Sequence, residues 1–335
     1  MNIDQSCRGL SQLPGDLLAS DAWAKGELTE LNLMANKLSD LPEAIERLKN
    51  LEILNLSWNR FDSIPEGIFS LSKLETLILS HNQIVDLDPR LFSMPALKHL
   101  YISANCLKEI PETDAECPSF ETFFADHNQI RTLKDSFLQK TSGLVVLSLS
   151  NNHLSKIPES IGSCSDREIL NVSHNRLKGL PKEIGELSKL AEIYLQNNQV
   201  EKLPTEIANC RLLQKLVIHE NQLSSLPTAI FYLEDLRYLD ASSNQLTDLS
   251  GCDTRRSSIV RLFLNDNQFR QIPKELFQMS EIMHLALNRN PLFDWPSAKR
   301  VSWKRGMRLS ILDSPLGSPN QTSERPDAFK DIKIM

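Results

Sequence analysis

One arrangement of apolar and polar positions recurs along the chain with a period of 23 residues. Residues 190–212 follow the pattern LxxIxLxxNxVxxLPxxIxxCxx, and the next copy places apolar residues, Asn and Pro at the same offsets. Twelve copies cover residues 28–294, and one interval is a residue longer than the others. Such a period indicates a repeat protein that grows by stacking similar turns. The copies begin at Leu28, Leu51, Leu74, Leu97, Phe120, Leu144, Arg167, Leu190, Leu213, Leu236, Ile259 and Ile282.

Each copy predicts the same small set of elements, with positions counted from its first residue. The alternating apolar residues at positions 4 and 6 predict a short strand, and stacked strands would form one parallel sheet on a concave face. Proline at position 15 has a fixed φ and no N–H donor, so it suits the start of a convex segment. The apolar residue at position 18 would then face the core from the convex side.

Asparagine occupies position 9 in all twelve copies. The chain turns inward here and leaves backbone groups without strand partners, and buried groups of this kind must be paired. An asparagine amide both donates and accepts hydrogen bonds, so it can bridge its own turn and the neighbouring one. We therefore interpret this column as part of the scaffold rather than as a binding site.

The full pattern, LxxLxLxxNxLxxLPxxIxxLxx, resembles the intracellular leucine-rich repeat family, in particular its Ras-suppressor, Scribble and Ras-scaffold type. The resemblance implies an α/β-type leucine-rich repeat solenoid, a curved horseshoe with a parallel β-sheet on the concave face and short helical or irregular convex segments. It also implies protein binding rather than catalysis, because this type consists mostly of binding scaffolds and regulatory subunits.

The segments outside the repeats complete the predicted organisation. Residues 1–27 match the second half of a copy and predict an N-terminal cap, while 28–294 hold the twelve leucine-rich repeats. Residues 295–312 carry enough apolar side chains for a C-terminal cap, and residues 313–335, rich in Ser and Pro, predict a disordered tail. The copies that begin at Leu97 and Leu236 lack the apolar residue at position 18. We expect loose convex segments there, either as docking sites or as degraded repeats.

The charge distribution narrows the class of partner. The net charge is −6, and residues 295–335 contribute eight Lys or Arg against four Asp or Glu. The preceding part of the chain therefore carries −10, which disfavours a nucleic acid partner. No apolar run reaches the length of about 18 residues that a membrane-inserted helix needs. Residues 1–16 show no secretory pattern.

The cysteines favour a reducing compartment. Cys117, Cys164 and Cys210 occupy position 21, where leucine stands in other copies, and no CxxC pair occurs. We interpret these cysteines as small apolar core residues. We therefore expect a cytoplasmic protein with reduced thiols, and a monomer.

The sequence contains no motif for catalysis or cofactor binding. The patterns GxGxxG, GxxxxGK[ST], HExxH and GxSxG are all absent. Six of the seven histidines fall at positions 3, 7 or 8 of different copies. Histidines two repeats apart cannot share a metal ion, because adjacent strands are about 4.8 Å apart. We expect no enzyme activity, no cofactor and no metal.

The outward strand positions provide the candidate binding site. We expect positions 3, 5, 7 and 8 to point into the concave groove, because side chains alternate along a strand. Apolar and aromatic residues cluster there, as is typical of partner-binding surfaces, although aromatic residues also have high strand propensity. The predicted contacts are Trp58, Ile78, His81, His99, Tyr101, Phe124, His127, Tyr194, Val217, His219, Tyr238 and Phe263.

A basic segment, Lys299–Trp303, reads KRVSW and resembles the docking motif of protein phosphatase 1 regulators. The resemblance implies that Val301 and Trp303 enter two pockets by strand addition, while Arg300 meets an acidic rim. Alternatively, these residues only cap the solenoid. Phosphorylation within the motif would oppose docking. The candidate phosphorylation sites here and in the tail are Ser302, Ser314 and Ser318.

Together these patterns predict a non-catalytic interaction scaffold or adaptor that binds a protein partner on its concave face, in intracellular signalling. Two alternatives remain open. One is a regulatory or targeting subunit of protein phosphatase 1, which would dock through Lys299–Trp303. The other is an inhibitor of a small GTPase or of another signalling enzyme.

Overall fold

The computed structural model of the chain describes residues 1–20, 23, 25, 27–114, 117, 119–293 and 307–310, together with the backbone of residues 333–334. The chain forms two compact units, Met1–Arg167 and Glu168–Met335. In both units each copy of the pattern contributes one three-residue strand at positions 3–5. A turn that contains the asparagine of position 9 follows the strand. A return segment then leads to the strand of the next copy. This arrangement confirms the predicted repeat solenoid with a parallel sheet.

The described residues of the first unit form seven parallel strands that pair in chain order. Each strand pairs with the next at equal repeat positions, so position 5 of one copy lies beside position 5 of the next. The first strand belongs to the segment predicted as the N-terminal cap. The strands are β1 (Asn2–Asp4), β2 (Glu30–Asn32), β3 (Ile53–Asn55), β4 (Thr76–Ile78), β5 (His99–Tyr101), β6 (Thr122–Phe124) and β7 (Val146–Ser148).

In the second unit, the part of the chain that the structure describes forms eight parallel strands in chain order. The last two lie within residues 295–312 and 313–335, most of which fall outside the described residues, so the predicted C-terminal cap and disordered tail remain predictions. The strands are β8 (Ile169–Asn171), β9 (Glu192–Tyr194), β10 (Lys215–Val217), β11 (Tyr238–Asp240), β12 (Arg261–Phe263), β13 (His284–Ala286), β14 (Arg308–Ser310) and β15 (Lys333–Ile334).

The return segments are mostly single turns of 3-10 helix that begin directly after the proline of position 15. Pro42 has φ −67°, and Pro204 has φ −66°, values that suit the residue before a helix. The repeat with the extra residue instead contains an α-helix, α2 (Asp135–Lys140), and α1 (Gly15–Leu18) lies near the N-terminus. The 3-10 helices are Glu43–Arg47, Glu66–Ser70, Pro89–Ser93, Glu159–Ser163, Lys182–Glu186, Thr205–Asn209, Thr228–Tyr232 and Lys274–Gln278.

The asparagine column connects successive turns as predicted. The Asn59 side-chain oxygen accepts a hydrogen bond from the Leu38 backbone N–H at 3.0 Å. Its amide nitrogen donates to the carbonyls of Leu33 at 2.9 Å and Leu56 at 3.1 Å. One side chain therefore satisfies backbone groups of its own copy and of the copy before it. The same pattern recurs at Asn244, whose oxygen accepts from the Leu223 N–H at 2.9 Å.

The copy that begins at Leu236 is better packed than the sequence suggests. Its return segment forms no regular helix, yet Cys252, Thr254 and Ser257 are all buried. The Thr254 hydroxyl donates to the Glu275 carbonyl of the next copy. The expectation of a loose segment is therefore wrong here, because small polar side chains with local partners replace the apolar residue at position 18.

Aromatic residues fill the core around the other irregular copy, which begins at Leu97. The Phe92 ring lies 5.7 Å from Phe120 and 5.3 Å from Phe137 in edge-on geometry. Such contacts stabilise a core beyond the burial of ring area. Asp114, which occupies position 18 of this copy, is exposed. Three residues of this return segment lie outside the described residues.

The predicted core cysteines are buried, and each thiol faces a backbone carbonyl of the preceding copy. The Sγ atom of Cys210 donates to the Ile184 carbonyl at 3.2 Å, and that of Cys164 donates to the Leu138 carbonyl at 3.4 Å. Burial raises the pKa of the Cys210 thiol to about 11. The Cys210 thiol therefore stays protonated at neutral pH, and all three cysteines are buried packing residues, in agreement with the sequence analysis.

Arg167 is an exception among the core residues. It occupies position 1, where eleven other copies carry Leu, Ile or Phe, and it is fully buried. None of its guanidinium nitrogens has a hydrogen-bond partner among the described residues. Burial lowers the pKa of Arg167, and the nearby Cys164 thiol offsets this effect only in part. A buried charge of this kind opposes folding.

Candidate protein-binding surface

The outward-facing positions of the repeats form one surface in each unit, which we call the strand face. Positions 3 and 5 belong to the strand and lie on either side of the buried residue at position 4. Position 8 follows the strand and has a left-handed backbone in all twelve copies, with φ between 51° and 58°. Residues at position 8 are therefore presented by a turn, and the expected strand alternation does not extend to them.

Three apolar side chains lie side by side at the centre of the strand face of the first unit. Ile78, Tyr101 and Phe124 occupy position 5 of consecutive strands and pair in register. All three are half-buried, and the rings of Tyr101 and Phe124 stack with centroids 5.4 Å apart and planes 9° apart. The sequence predicted this run, and the structure places its members on adjacent strands and stacks the two rings.

A second stacked pair lies beside this run. Trp58 and His81, both at position 8, have ring centroids 3.8 Å apart and an angle of 13° between their planes. Trp58 remains 52% exposed. Stacking holds the indole against its neighbour without burying it in the core. We call Trp58, Ile78, His81, Tyr101 and Phe124 together the aromatic surface.

Two histidines and a hydrogen-bonded carboxylate lie near the aromatic surface. His99 is half-buried at position 3, and its Nδ1 atom has no hydrogen-bond partner among the described residues. His127 is exposed at position 8. The nearby Asp126 carboxylate accepts hydrogen bonds from the Ser148 hydroxyl at 2.5 Å and from the Ser150 N–H at 2.7 Å. An apolar partner could therefore cover this region without leaving a bare carboxylate.

The strand face of the second unit combines aromatic rings with charges. The Tyr194 hydroxyl donates to Glu192 and accepts from the Lys215 Nζ at 2.9 Å. The same Nζ lies 4.7 Å from the centre of the Tyr194 ring and 5.5 Å from that of Tyr238. Burial, and then the hydrogen bond to Glu192, raise the pKa of Tyr194. Lys215 is therefore held between two rings as a cation–π partner.

The aromatic row continues towards the C-terminal end of this unit. The Phe263 ring lies 5.4 Å from Tyr238 and 5.2 Å from His284. Burial, and then the charges of Arg261 and Arg308, lower the pKa of His284. The predicted list contained Tyr238 and Phe263 but neither His284 nor the two arginines. Arg308 could not be found from the repeat, because its strand lies beyond the last copy.

Two further predicted contacts have different surroundings. Val217 lies on the strand face but is only 7% exposed, because Tyr194 and Asp240 flank it on the adjacent strands. It offers little surface to a partner, so its prediction as a contact is corrected. His219 is half-buried, and its Nδ1 lies 3.7 Å from Glu220.

The remaining predicted sites cannot be placed. Arg300, Val301, Ser302, Trp303, Ser314 and Ser318 all lie outside the described residues. Within the described part of the chain, no group of three or more His, Cys, Asp or Glu side chains is arranged to hold a metal ion. No helix there is long and apolar enough to span a bilayer.

Solved structures share this architecture across widely different organisms. A leucine-rich repeat protein of Leptospira interrogans is 26% identical, with a TM-score of 0.80 over 93% of this chain and 90% of that one. An internalin of Listeria monocytogenes shares the fold at 21% identity, with a TM-score of 0.74 over 88% and 82% of the two chains. The plant peptide hormone receptor RGFR1, solved in complex with RGF2, is 27% identical, with a TM-score of 0.72. That match covers 87% of this chain and 48% of the receptor chain.

A family model supports the same assignment at the level of sequence. The model described as "Leucine rich repeat" matches residues 26–84, 72–130, 142–200 and 167–223, which together exceed half of the chain. No curated protein matches the chain. The repeated pattern, the paired strands and the asparagine column agree with this match, and the chain belongs to the leucine-rich repeat family.

Proposed function

We propose that this protein is a non-catalytic scaffold that binds a protein partner through the aromatic surface of its first unit. The observation that carries the proposal is the pair of ring stacks, Trp58–His81 and Tyr101–Phe124, on a face that the protein itself leaves uncovered. Rigid aromatic side chains with a polar group lose little entropy on binding and are common hot-spot residues. The peptide-bound plant receptor supports protein or peptide recognition as the general role of the fold.

The repeat length and the free cysteines support a cytoplasmic role in signalling. The 23-residue pattern is the one found in the Ras-suppressor, Scribble and Ras-scaffold type, which the sequence resembles. Six free cysteines, of which four are buried, suit a reducing compartment. We therefore propose an intracellular adaptor. Inhibition of a small GTPase would be one form of the same binding activity.

A triple variant tests the proposed surface. Ile78→Ser, Tyr101→Ser and Phe124→Ser together remove the apolar centre of the aromatic surface, and we expect capture of partners from native lysate to be abolished. A matched control carries Val85→Ser, Leu212→Ser and Tyr232→Ser, which are 39%, 48% and 48% exposed away from the strand face. Partners identified by mass spectrometry should remain with the control. Equal capture by both variants would reject the proposal.

Protein phosphatase 1 targeting is a second candidate, which the KRVSW segment favours. In this version the strand face selects a substrate while Val301 and Trp303 recruit the enzyme. A Val301→Ala, Trp303→Ala variant should lose the phosphatase in a pull-down but keep partners of the aromatic surface. Phosphatase binding that survives both changes would exclude this candidate.

A further inference from the structure

A column of basic side chains crosses the strand face of the second unit. Arg261 and His284 occupy position 3 of the last two copies, and Arg308 pairs in register with His284 from the strand that follows them. Adjacent strands are about 4.8 Å apart, so the two arginines start about 10 Å from each other. Both arginines are exposed and His284 is half-buried between them. We call these three residues the basic column.

No carboxylate among the described residues pairs with the arginines of the basic column, whereas two other arginines of the same unit are ion-paired. Neither Arg261 nor Arg308 has an ion-pair partner among the described residues. Arg289, on the same strand face, pairs with Asp266, and Arg255 pairs with Asp253 at 2.7 Å. The guanidinium groups of the column therefore keep their planar donors available, and such donors match carboxylates in two-point hydrogen bonds.

Aromatic rings lie next to the basic column. Phe263 lies two residues after Arg261 on the same strand. Its ring contacts Tyr238 on one side and His284 on the other. Desolvated rings beside cations favour a ligand that combines apolar and acidic side chains. The repeats of this unit are also less acidic than the first unit: residues 168–294 carry 14 Lys or Arg against 16 Asp or Glu, whereas residues 1–167 carry 15 against 23.

We propose that the basic column binds an acidic segment of a partner protein, with carboxylates about 10 Å apart that meet Arg261 and Arg308. Three residues of extended chain span this distance. An apolar residue between the carboxylates would rest on Phe263. This inference rests on the proposed protein-binding role of the strand face, but it uses residues of the other unit, so the two claims fail separately.

Peptide binding to the full chain tests the basic column. The probe is a fluorescein-labelled peptide that repeats Glu-Leu-Leu, so that successive Glu residues are three residues apart, and its matched versions carry Gln or Lys in place of Glu. We expect the acidic peptide to bind, the other two to bind at least about tenfold more weakly, and added salt to reduce binding. An Arg261→Gln, Arg308→Gln variant should weaken acidic-peptide binding by about tenfold or more.

The control variant removes the same number of positive charges elsewhere in the unit. Lys202→Gln and Arg211→Gln change exposed residues outside the strand face, and this variant should bind the acidic peptide like the wild type. The proposal would be overturned if both variants lost acidic-peptide binding equally, or if the wild type bound the Glu and Gln peptides equally well. A third outcome is that the protein self-associates in a salt-sensitive way that requires the basic column, without binding the peptide. The column would then bind a second copy of this chain, and this result would also overturn the proposal.

The result can be separated from that for the aromatic surface. Suppose that the acidic peptide does not bind but the Ile78, Tyr101 and Phe124 triple variant still loses its partners. The basic-column proposal is then wrong while the proposed function stands. Thermal unfolding of each variant should match that of the wild type, since both arginines are exposed.

Discussion

Trp58 and His81 stack face to face across adjacent copies, with ring centroids 3.8 Å apart. Both residues sit at position 8 with a left-handed backbone, at φ 57° and 58°. The turn conformation thus presents both rings on the surface, whereas continued strand alternation would have directed position 8 to the same side as the buried positions 4 and 6. The pair forms the most exposed part of the aromatic surface, and its geometry is fixed before any partner arrives.

This contact predicts an energetic coupling between the two rings. Alanine substitution of both should destabilise the protein less than the sum of the single substitutions, by about 0.5–1.5 kcal/mol. The measurement is a double-mutant cycle in urea unfolding. A control cycle pairs Trp58 with His127, which lies three copies away and should show additive effects. Additive effects in the Trp58–His81 cycle would mean that the stack does not contribute to stability.

The asparagine column predicts a loss of stability that depends on burial. Asn244→Ala removes the acceptor for the Leu223 N–H and the donor to the Ile218 and Ala241 carbonyls. Because a buried group without a partner costs about 1–3 kcal/mol, we expect the free energy of unfolding to fall by at least about 2 kcal/mol.

Asn198 provides the comparison for this prediction. It makes equivalent bonds, to the Val172 and Leu195 carbonyls at 3.0 Å, but is half-buried. Water can replace part of the hydrogen bonds that the Asn198 side chain makes. Asn198→Ala should therefore lower the free energy of unfolding less than Asn244→Ala in the same urea titration. A larger loss of stability for Asn198→Ala would show that burial does not determine how much each asparagine contributes to the free energy of unfolding.

The repeated scaffold could be predicted from sequence because each structural role recurs at a fixed offset. Asn59 and Asn244 make the same hydrogen bonds in different copies. Both occupy position 9, so the sequence position alone indicates their common role. The run Ile78, Tyr101, Phe124 was visible for the same reason: equal offsets become neighbours once the strands pair in register.

The position of a residue in the repeat does not fully determine whether its side chain is exposed on the strand face. The period-two rule fails at position 8, because the left-handed turn there follows the strand. Val217 has a strand-face offset but is covered by its neighbours. Arg308 joins the basic column from outside the repeats. The first case depends on the backbone conformation, the second on the size of neighbouring side chains, and the third on a strand outside the repeated pattern.

The left-handed turn at position 8 predicts which substitutions the repeats tolerate. Ser243 has φ 52°. Asparagine adopts this conformation readily, whereas a β-branched residue clashes with its own backbone. We expect Ser243→Val to lower the free energy of unfolding by about 1–2 kcal/mol and Ser243→Asn to leave it unchanged or higher. Equal stabilities in urea unfolding would argue against strain at this position.

Arg167 predicts a stabilising substitution in the core. Its guanidinium is fully buried without a hydrogen-bond partner among the described residues, while most other copies carry leucine at this position. Replacing a buried charge with a packed apolar side chain often stabilises by about 1–4 kcal/mol. Arg167→Leu should therefore raise the midpoint of urea unfolding. Arg176→Leu, at an exposed position, is the control and should change the midpoint little; a lower midpoint for Arg167→Leu would show that the arginine is satisfied in solution.

The basic column predicts how His284 titrates in the absence of a partner. Burial disfavours the imidazolium, and the positive charges of Arg261 on one neighbouring strand and Arg308 on the other disfavour it further, so the pKa of His284 lies below its usual value of 6.5. Arg261→Gln and Arg308→Gln together should raise this pKa towards 6.5 but not above it, because the burial remains. The pKa is measured from the imidazole proton shifts by NMR.

A bound acidic segment should act on His284 in the same direction as loss of the arginine charges. Carboxylates near the imidazole favour its charged form, so the pKa of His284 should rise when the Glu-containing peptide binds and stay unchanged with the Gln version. Binding would then be accompanied by proton uptake, and the affinity should increase as the pH falls through the interval between the free and bound pKa values. An unchanged pKa with saturating acidic peptide would place that peptide away from the basic column.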